Sequence, residues 1–222
     1  MPRPRYPKSD GKLPPPLPPE TRTVGQLVGE TIRLYGARLL PVLALGLSIA
    51  ALDEVSLGRT PNEQTVVLWL FTPLVTASYV AACALVATER PPARALLVGL
   101  AVGIVVWIPV PILFRFVILP ALAWLALFGL AVPAAVIERR GFVDSLRRGL
   151  QLARADFVHV FGSLAALAIV YFLSRTVLLF LLRTQGDNAV RTAGFLADLV
   201  LSPLLFLGAA LVYWDQAARV RD

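Results

Sequence analysis

From Leu39 to Trp214 the chain alternates long apolar runs with short polar breaks. An α-helix needs about 20 apolar residues to cross a hydrocarbon layer roughly 30 Å thick, and this pattern accommodates six such helices. The first run, Leu39 to Leu52, offers 14 residues before Asp53 and Glu54, or about 21 Å at 1.5 Å per residue. It must therefore recruit Gly36 to Arg38 or Val55 to Leu57. The second, Gln64 to Ala87, is long enough, and Pro73 in its middle predicts a kink. Ala93 to Ile137 runs 45 residues with two charges, Arg94 at its start and Arg115, so a hairpin must interrupt it. Pro109, Pro111 and Arg115 mark the turn, giving a third span near Ala93 to Val110 and a fourth near Phe116 to Ile137. The fifth opens at Phe157 and ends between Leu173 and Leu182, and the sixth is Gly194 to Trp214.

Two stretches are two-sided instead of uniformly apolar. Thr23 and Gln26 have capping-box spacing, and Val24, Leu27, Val28, Thr31, Ile32, Tyr35 and Leu39 fall on one helical face opposite Arg22, Gln26, Glu30 and Arg33. Glu138 to Asp156 is the second: Phe142, Leu146, Leu150, Ala153 and Phe157 oppose Arg140, Asp144, Arg147, Arg148, Gln151 and Arg154. Asp144 and Arg148 have the i, i+4 spacing of an ion pair. Both stretches read as interfacial helices lying in the headgroup layer, and a shift of 118 residues superimposes them, as a parallel internal repeat would. Chance similarity between two amphipathic helices remains the competing explanation. The expected fold is all-α: a polytopic membrane bundle of six transmembrane helices plus two amphipathic interfacial helices over residues 23–222. Residues 1–22 are read as a disordered, Pro-rich cytoplasmic tail.

Composition narrows the function classes. A chain with 57% hydrophobic and 16% charged residues has more apolar surface than a soluble core of this size can hide. The net charge of +7 would suggest nucleic acid in a soluble protein, but the arginines cluster at the ends of apolar runs, beside anionic headgroups. Nucleic acid is therefore not an expected partner. With the N-terminus cytoplasmic, 16 basic residues fall inside and five outside, which satisfies the positive-inside rule with both termini cytoplasmic. The arginine and alanine excess suggests a GC-rich bacterial genome and so the bacterial inner (cytoplasmic) membrane.

Candidate chemistry is sparse. Arg175 and Asp198 are charges inside neighbouring spans, at depths that allow an intramembrane ion pair; the alternatives are a gate, a polar cavity, or an arginine reaching to the headgroups. His159 and Ser163 sit one helical turn apart, without an evident acidic orienter or oxyanion motif. Cys83 is the single cysteine, and no metal-ligand spacing or cofactor motif accompanies it. An enzyme is not expected, and no cofactor is implied. Ala95, Gly99 and Gly103 form a small-residue face suited to close helix contact. Trp69, Trp107, Trp214 and Tyr213 fall near span ends, as interfacial aromatics do.

The order Arg115, Pro133, Glu138, Gly141, then DSLRRGLQLARADF and a final LVYWDQAARVR, together with the opening TVGQLVGETIRLYGARLLPV, resembles the membrane domain fused to some bacterial glycerophosphodiester phosphodiesterases. Stand-alone bacterial membrane proteins look similar. The resemblance spans Thr23 to Arg221 and implies a six-helix bundle with N-terminal and mid-chain interfacial helices. It implies no catalysis, because the phosphodiesterase work in the fused proteins belongs to a separate soluble barrel, which is not expected here. Gly149 stands where members usually carry serine.

The leading expectation is a non-enzymatic integral membrane protein, a scaffold, anchor or lipid-organising module. Its partners are anionic lipid headgroups, gripped by Arg139, Arg140, Arg147, Arg148 and Arg154, and possible further membrane proteins. The alternative is a small transporter, or a transporter's membrane subunit, for a lipid or small solute. It requires a water-accessible polar path near Arg175 and Asp198. An intramembrane hydrolase built on His159 is the weakest of the three.

Overall fold

In the computed structural model, which describes residues 19–116 and 118–220, helix α1 (Val24–Ala37) begins as the Thr23–Gln26 spacing requires. The Thr23 hydroxyl accepts from the Gln26 N–H at 3.4 Å, and the Gln26 side chain accepts from the Thr23 N–H at 2.8 Å. Arg38 alone, at φ −135° and ψ 47°, separates α1 from α2 (Leu39–Ser56), so one non-helical residue turns the chain from the flat helix into the first span. The span reaches its 18 residues by taking Asp53 and Glu54 into its last two turns. Helix α3 (Pro61–Val86) starts three residues before the apolar run, because Thr60 and Glu63 form a second capping box with Pro61 at the first helical position. Pro73 lies inside this helix without ending it.

The long apolar stretch after Pro92 divides as the prolines suggest, with more breaks than expected. Helix α4 (Ala93–Trp107) is followed by a short α5 (Val110–Phe116), then α6 (Ile118–Phe128) and α7 (Ala131–Ile137). At the α4–α5 break, indole N–H groups satisfy two carbonyls: Trp124 donates to Val106 at 2.8 Å and Trp69 to Ile108 at 3.0 Å. Unpaired carbonyls at membrane depth cost several kcal/mol each, so these tryptophans hold the turn. Helix α8 (Phe142–Ala155) is the second elbow, and Asp156 alone separates it from α9 (Phe157–Leu182). The chain closes with α10 (Asp187–Arg219), seven residues longer at its start than the apolar pattern indicates.

No strand occurs among the described residues, and six helical stretches are long and apolar enough to cross a membrane: Leu39–Ser56, Pro61–Val86, Ala93–Arg115, Ile118–Ile137, Phe157–Leu182 and Asp187–Arg219. The all-α membrane-type bundle expected from the pattern is the one observed. Leu40, Leu70, Leu97, Ile169 and Leu181 point outward from it, a surface that only lipid tails can cover at low cost.

Helix α10 is the central post, packed on α1, α2, α3 and α9. It lies so close to α2 that a methyl group at Gly46 would sit 2.1 Å from the Leu199 carbonyl oxygen. The small face of α4 packs within the chain, Gly99 against Val136 and Gly103 against Thr76. One apolar core (Val42, Tyr79, Val102, Val132, Leu207) joins α2, α3, α4, α7 and α10; a second (Leu27, Ala126, Leu152, Val160, Val212) joins α1, α6, α8, α9 and α10.

Two expectations about the elbows change. Helix α8 buries Ser145, Gly149, Leu152 and Ala153, whereas Phe142 and Val143 are exposed. Its inward face is chosen by close packing on α7, not by the largest side chains. In the N-terminal tail, residues 1–18 lie outside the described residues, but Pro19–Thr21 form a 3-10 turn against α10 and Arg22 is buried. The tail therefore ends in a docked segment.

Candidate functional site

The elbows and the described chain ends gather at one end of the bundle, where α10 collects their charges. Arg22 donates to Asp215 at 2.7 Å, and Arg219 donates both to Asp156 at 2.6 Å and to the Arg22 carbonyl at 3.1 Å. Asp215 is wholly buried, so this pairing is what makes its charge tolerable in the interior. Beside it, Glu138 accepts from Tyr213, Arg140 and Arg148. Burial by itself pushes the Glu138 carboxyl up, but these three donors outweigh it and hold the group below the usual glutamate range.

The five arginines expected to meet headgroups thus divide. Arg140 and Arg148 are bound internally to Glu138, Arg148 in place of the anticipated partner Asp144. Arg139 adopts a left-handed backbone, φ 57°, and reaches Glu89 at 2.7 Å, tying the α3–α4 connection to the second elbow. Arg147 and Arg154 are exposed and make no ion pair or hydrogen bond among the described residues. Val143, also exposed, lies one turn before Arg147 on the same helical face, so α8 presents cations and an apolar side chain on one outward surface.

At the opposite end, Arg175 joins Asp198 as expected, donating at 2.8 Å, but it also donates to Asp53 at 2.6 Å. Tyr171 completes the cluster by donating to Asp198 at 2.6 Å. Asp198 is fully buried and Asp53 is partly exposed. Two carboxylates therefore share one guanidinium, with the tyrosine hydroxyl supporting the deeper one. Asp53 was legible only as an obstacle to the first span; that it closes a three-helix ion cluster needs the 122-residue separation between it and Arg175 to be folded away. Glu54, its neighbour, pairs with Arg191.

Between the two charged ends lies a cavity of 420 Å³ bounded by α2, α3, α5, α6, α9 and α10. Asp53 and Tyr171 of the far cluster line it, together with apolar side chains including Leu68, Leu122, Leu167 and Phe206.

His159 and Ser163 do not form a pair. The His159 ring nitrogen Nε2 faces Asp215 at 3.8 Å, beyond hydrogen-bond length, and the Ser163 hydroxyl has no partner among the described residues. The carboxylate absent from the local sequence is thus supplied by α10, but it is committed to Arg22. No group of three or more His, Cys, Asp or Glu converges as a metal site among the described residues. Two presumed interfacial aromatics have structural duties instead: Trp69 holds the α4–α5 break, and Tyr213 is buried on Glu138.

Neither protein-family models, nor curated proteins, nor solved structures give a match to this chain.

Proposed function

We propose that this chain is a non-enzymatic membrane module that holds and organises anionic lipid at the face carrying its elbow helices. The supporting observation is the outward surface of α8, where Arg147 and Arg154, unpaired among the described residues, share a face with the exposed Val143. A cationic side chain near an anionic membrane surface contributes about 1 kcal/mol, and apolar neighbours fix the depth at which it sits. In this reading the elbow face is the cytoplasmic face of a bacterial inner membrane, both chain ends are cytoplasmic, and the resemblance to the phosphodiesterase-linked membrane domains is one of role as well as of sequence.

Retention of phosphatidylglycerol over phosphatidylcholine by the detergent-purified full-length chain, counted by native mass spectrometry, tests this. Loss of both free arginines removes about 2 kcal/mol, roughly a thirtyfold preference, so the R147Q/R154Q variant is expected to lose most of its selectivity while R140Q is expected to lose stability. Equal retention by native and double-variant protein would remove the proposal.

A second reading, passage of a lipid or small solute, draws on the cavity and on the placement of Asp53 and Tyr171 in its wall. Against it, Arg175 is already engaged by Asp53 and Asp198, so the cluster is closed and not an open polar path.

A further inference from the structure

The cavity is elongated along the bundle. On α3 its wall extends from Gln64 to Tyr79, about 22 Å at 1.5 Å per residue, and on α9 from Leu164 to Phe172. Taking a methylene as about 30 Å³, the share of one liquid water, the 420 Å³ accommodates one alkyl chain of about a dozen carbons.

Polarity is confined to one end. The deeper polar groups are already used: Thr72 donates to Leu68 at 3.0 Å, Tyr79 to Gly129 at 3.2 Å, and Tyr171 to Asp198 at 2.6 Å. The mouth lies at the exposed Gln64, beside Asp53 and Ser56, and Asp53 is the only charged residue among the described residues of the wall. There the hydrogens are also committed, Ser56 to the Leu52 carbonyl at 2.7 Å and the Gln64 amide to the Arg59 carbonyl at 3.2 Å. Asp53 gives one carboxylate oxygen, Oδ2, to Arg175. What the mouth still offers is acceptors: Asp53 Oδ1, Gln64 Oε1 and the Ser56 oxygen. Because Asp53 and Asp198 face each other as well as the one guanidinium of Arg175, the cluster holds more acceptors than donors. An anionic head would meet only acceptors, whereas a head rich in N–H donors satisfies them.

We propose that this cavity is a binding site for a single-chain amphiphile with an ammonium head, its tail along α3 and α9 and its head on Asp53 and Gln64. The inference is independent of the headgroup surface on α8, which lies at the other end of the bundle.

The test uses the full-length chain in phosphatidylcholine nanodiscs, with Trp107 in the cavity wall as reporter. The probes are 11-bromoundecylammonium and the uncharged 11-bromoundecanol, whose bromine quenches indole fluorescence. Saturable quenching is expected, absent in W107F, with the ammonium probe binding about tenfold or more tighter than the alcohol. Asp53→Asn should bring the two probes level. Ala168→Phe, which fills the cavity and leaves the charged cluster intact, should abolish saturable binding of both; Leu122→Phe serves the same purpose should the first variant fail to fold. Equal affinity of the two probes for native protein, or quenching that survives the filled cavity, would overturn the proposal.

Discussion

Glu138 shows how one carboxylate can fix the joint between a span and an elbow. It lies just beyond α7 and accepts from Tyr213 on α10 and from Arg140 and Arg148 around α8, so three segments meet on two oxygens. Folding holds this carboxyl below its ordinary value, so its contribution is complete above the unfolded value of about 4.3 and is lost as acid carries the pH down through the lower folded one. Thermal unfolding in detergent should accordingly fall for the native chain between roughly pH 5 and pH 3. E138Q is expected to melt lower at neutral pH and to vary less across that range; parallel curves would show that Glu138 is not a titrating anchor. Only part of this site was readable in the chain. Arg140 and Arg148 lie on the polar side of the elbow by periodicity, indistinguishable there from Arg147 and Arg154. What separates them is the approach of Glu138 and Tyr213, and no helical wheel contains those.

The elements were legible wherever a local cause sets them. Capping chemistry starts α1, proline and glycine punctuation locates the hairpin, and run length gives the spans. The same logic would have moved the start of α3 back to Pro61, since Thr60 and Glu63 repeat the capping-box spacing. The division of the fourth span at Gly129 and Leu130 has its signal in Pro133, which lacks the N–H that would pair with the Gly129 carbonyl; the Tyr79 hydroxyl donates to that carbonyl instead, at 3.2 Å. The orientation of α8 has no such signal. Its apolar stripe points to Phe142 and Leu150 as the inward side chains, yet Gly149 faces α7, where a Cβ would lie 2.5 Å from the Ala131 amide nitrogen. A close contact between backbones outranks side-chain size when a helix packs on a neighbour this tightly. The consequence is that Gly149→Ala should destabilise the chain by about 1–3 kcal/mol through overpacking, read as a lower melting temperature in detergent. Gly149→Ser, which adds a hydroxyl to the same Cβ, should be at least as costly. Unchanged melting of both variants would mean that α8 can retreat from α7 freely.

Across the bundle, the two elbows repeat in a way that periodicity alone left open. Every boundary of α8, and the start of α9, falls 118 residues after the corresponding boundary of α1 and α2, with a single non-helical residue, Arg38 or Asp156, at each joint. Arg22 and Arg140 precede the two helices at the same spacing, and each binds a buried or half-buried carboxylate, Asp215 or Glu138. The two outgoing spans then differ, α9 being 26 residues to the 18 of α2, so the likeness covers the elbow and the joint and not the full hairpin. Six spans place both elbows and both described ends together, and the ion pairs Arg22–Asp215 and Arg139–Glu89 tie that end of the bundle across its first, middle and last segments. In the proposed orientation this end lies inside the cell, the side to which the positive-inside rule assigns 16 of the 21 basic residues. Cysteine accessibility in intact cells reads the arrangement directly once the buried Cys83 is replaced by alanine. Gln185→Cys, in the exposed turn between α9 and α10, should react with an impermeant maleimide from outside. Thr88→Cys and Asp144→Cys, both exposed at the elbow end, should react only after the membrane is opened. Labelling of Thr88→Cys and Gln185→Cys from the same side would break the even-span topology, and a full reversal would leave the bundle standing but place its arginine-rich elbows on the wrong leaflet for the proposed lipid contact.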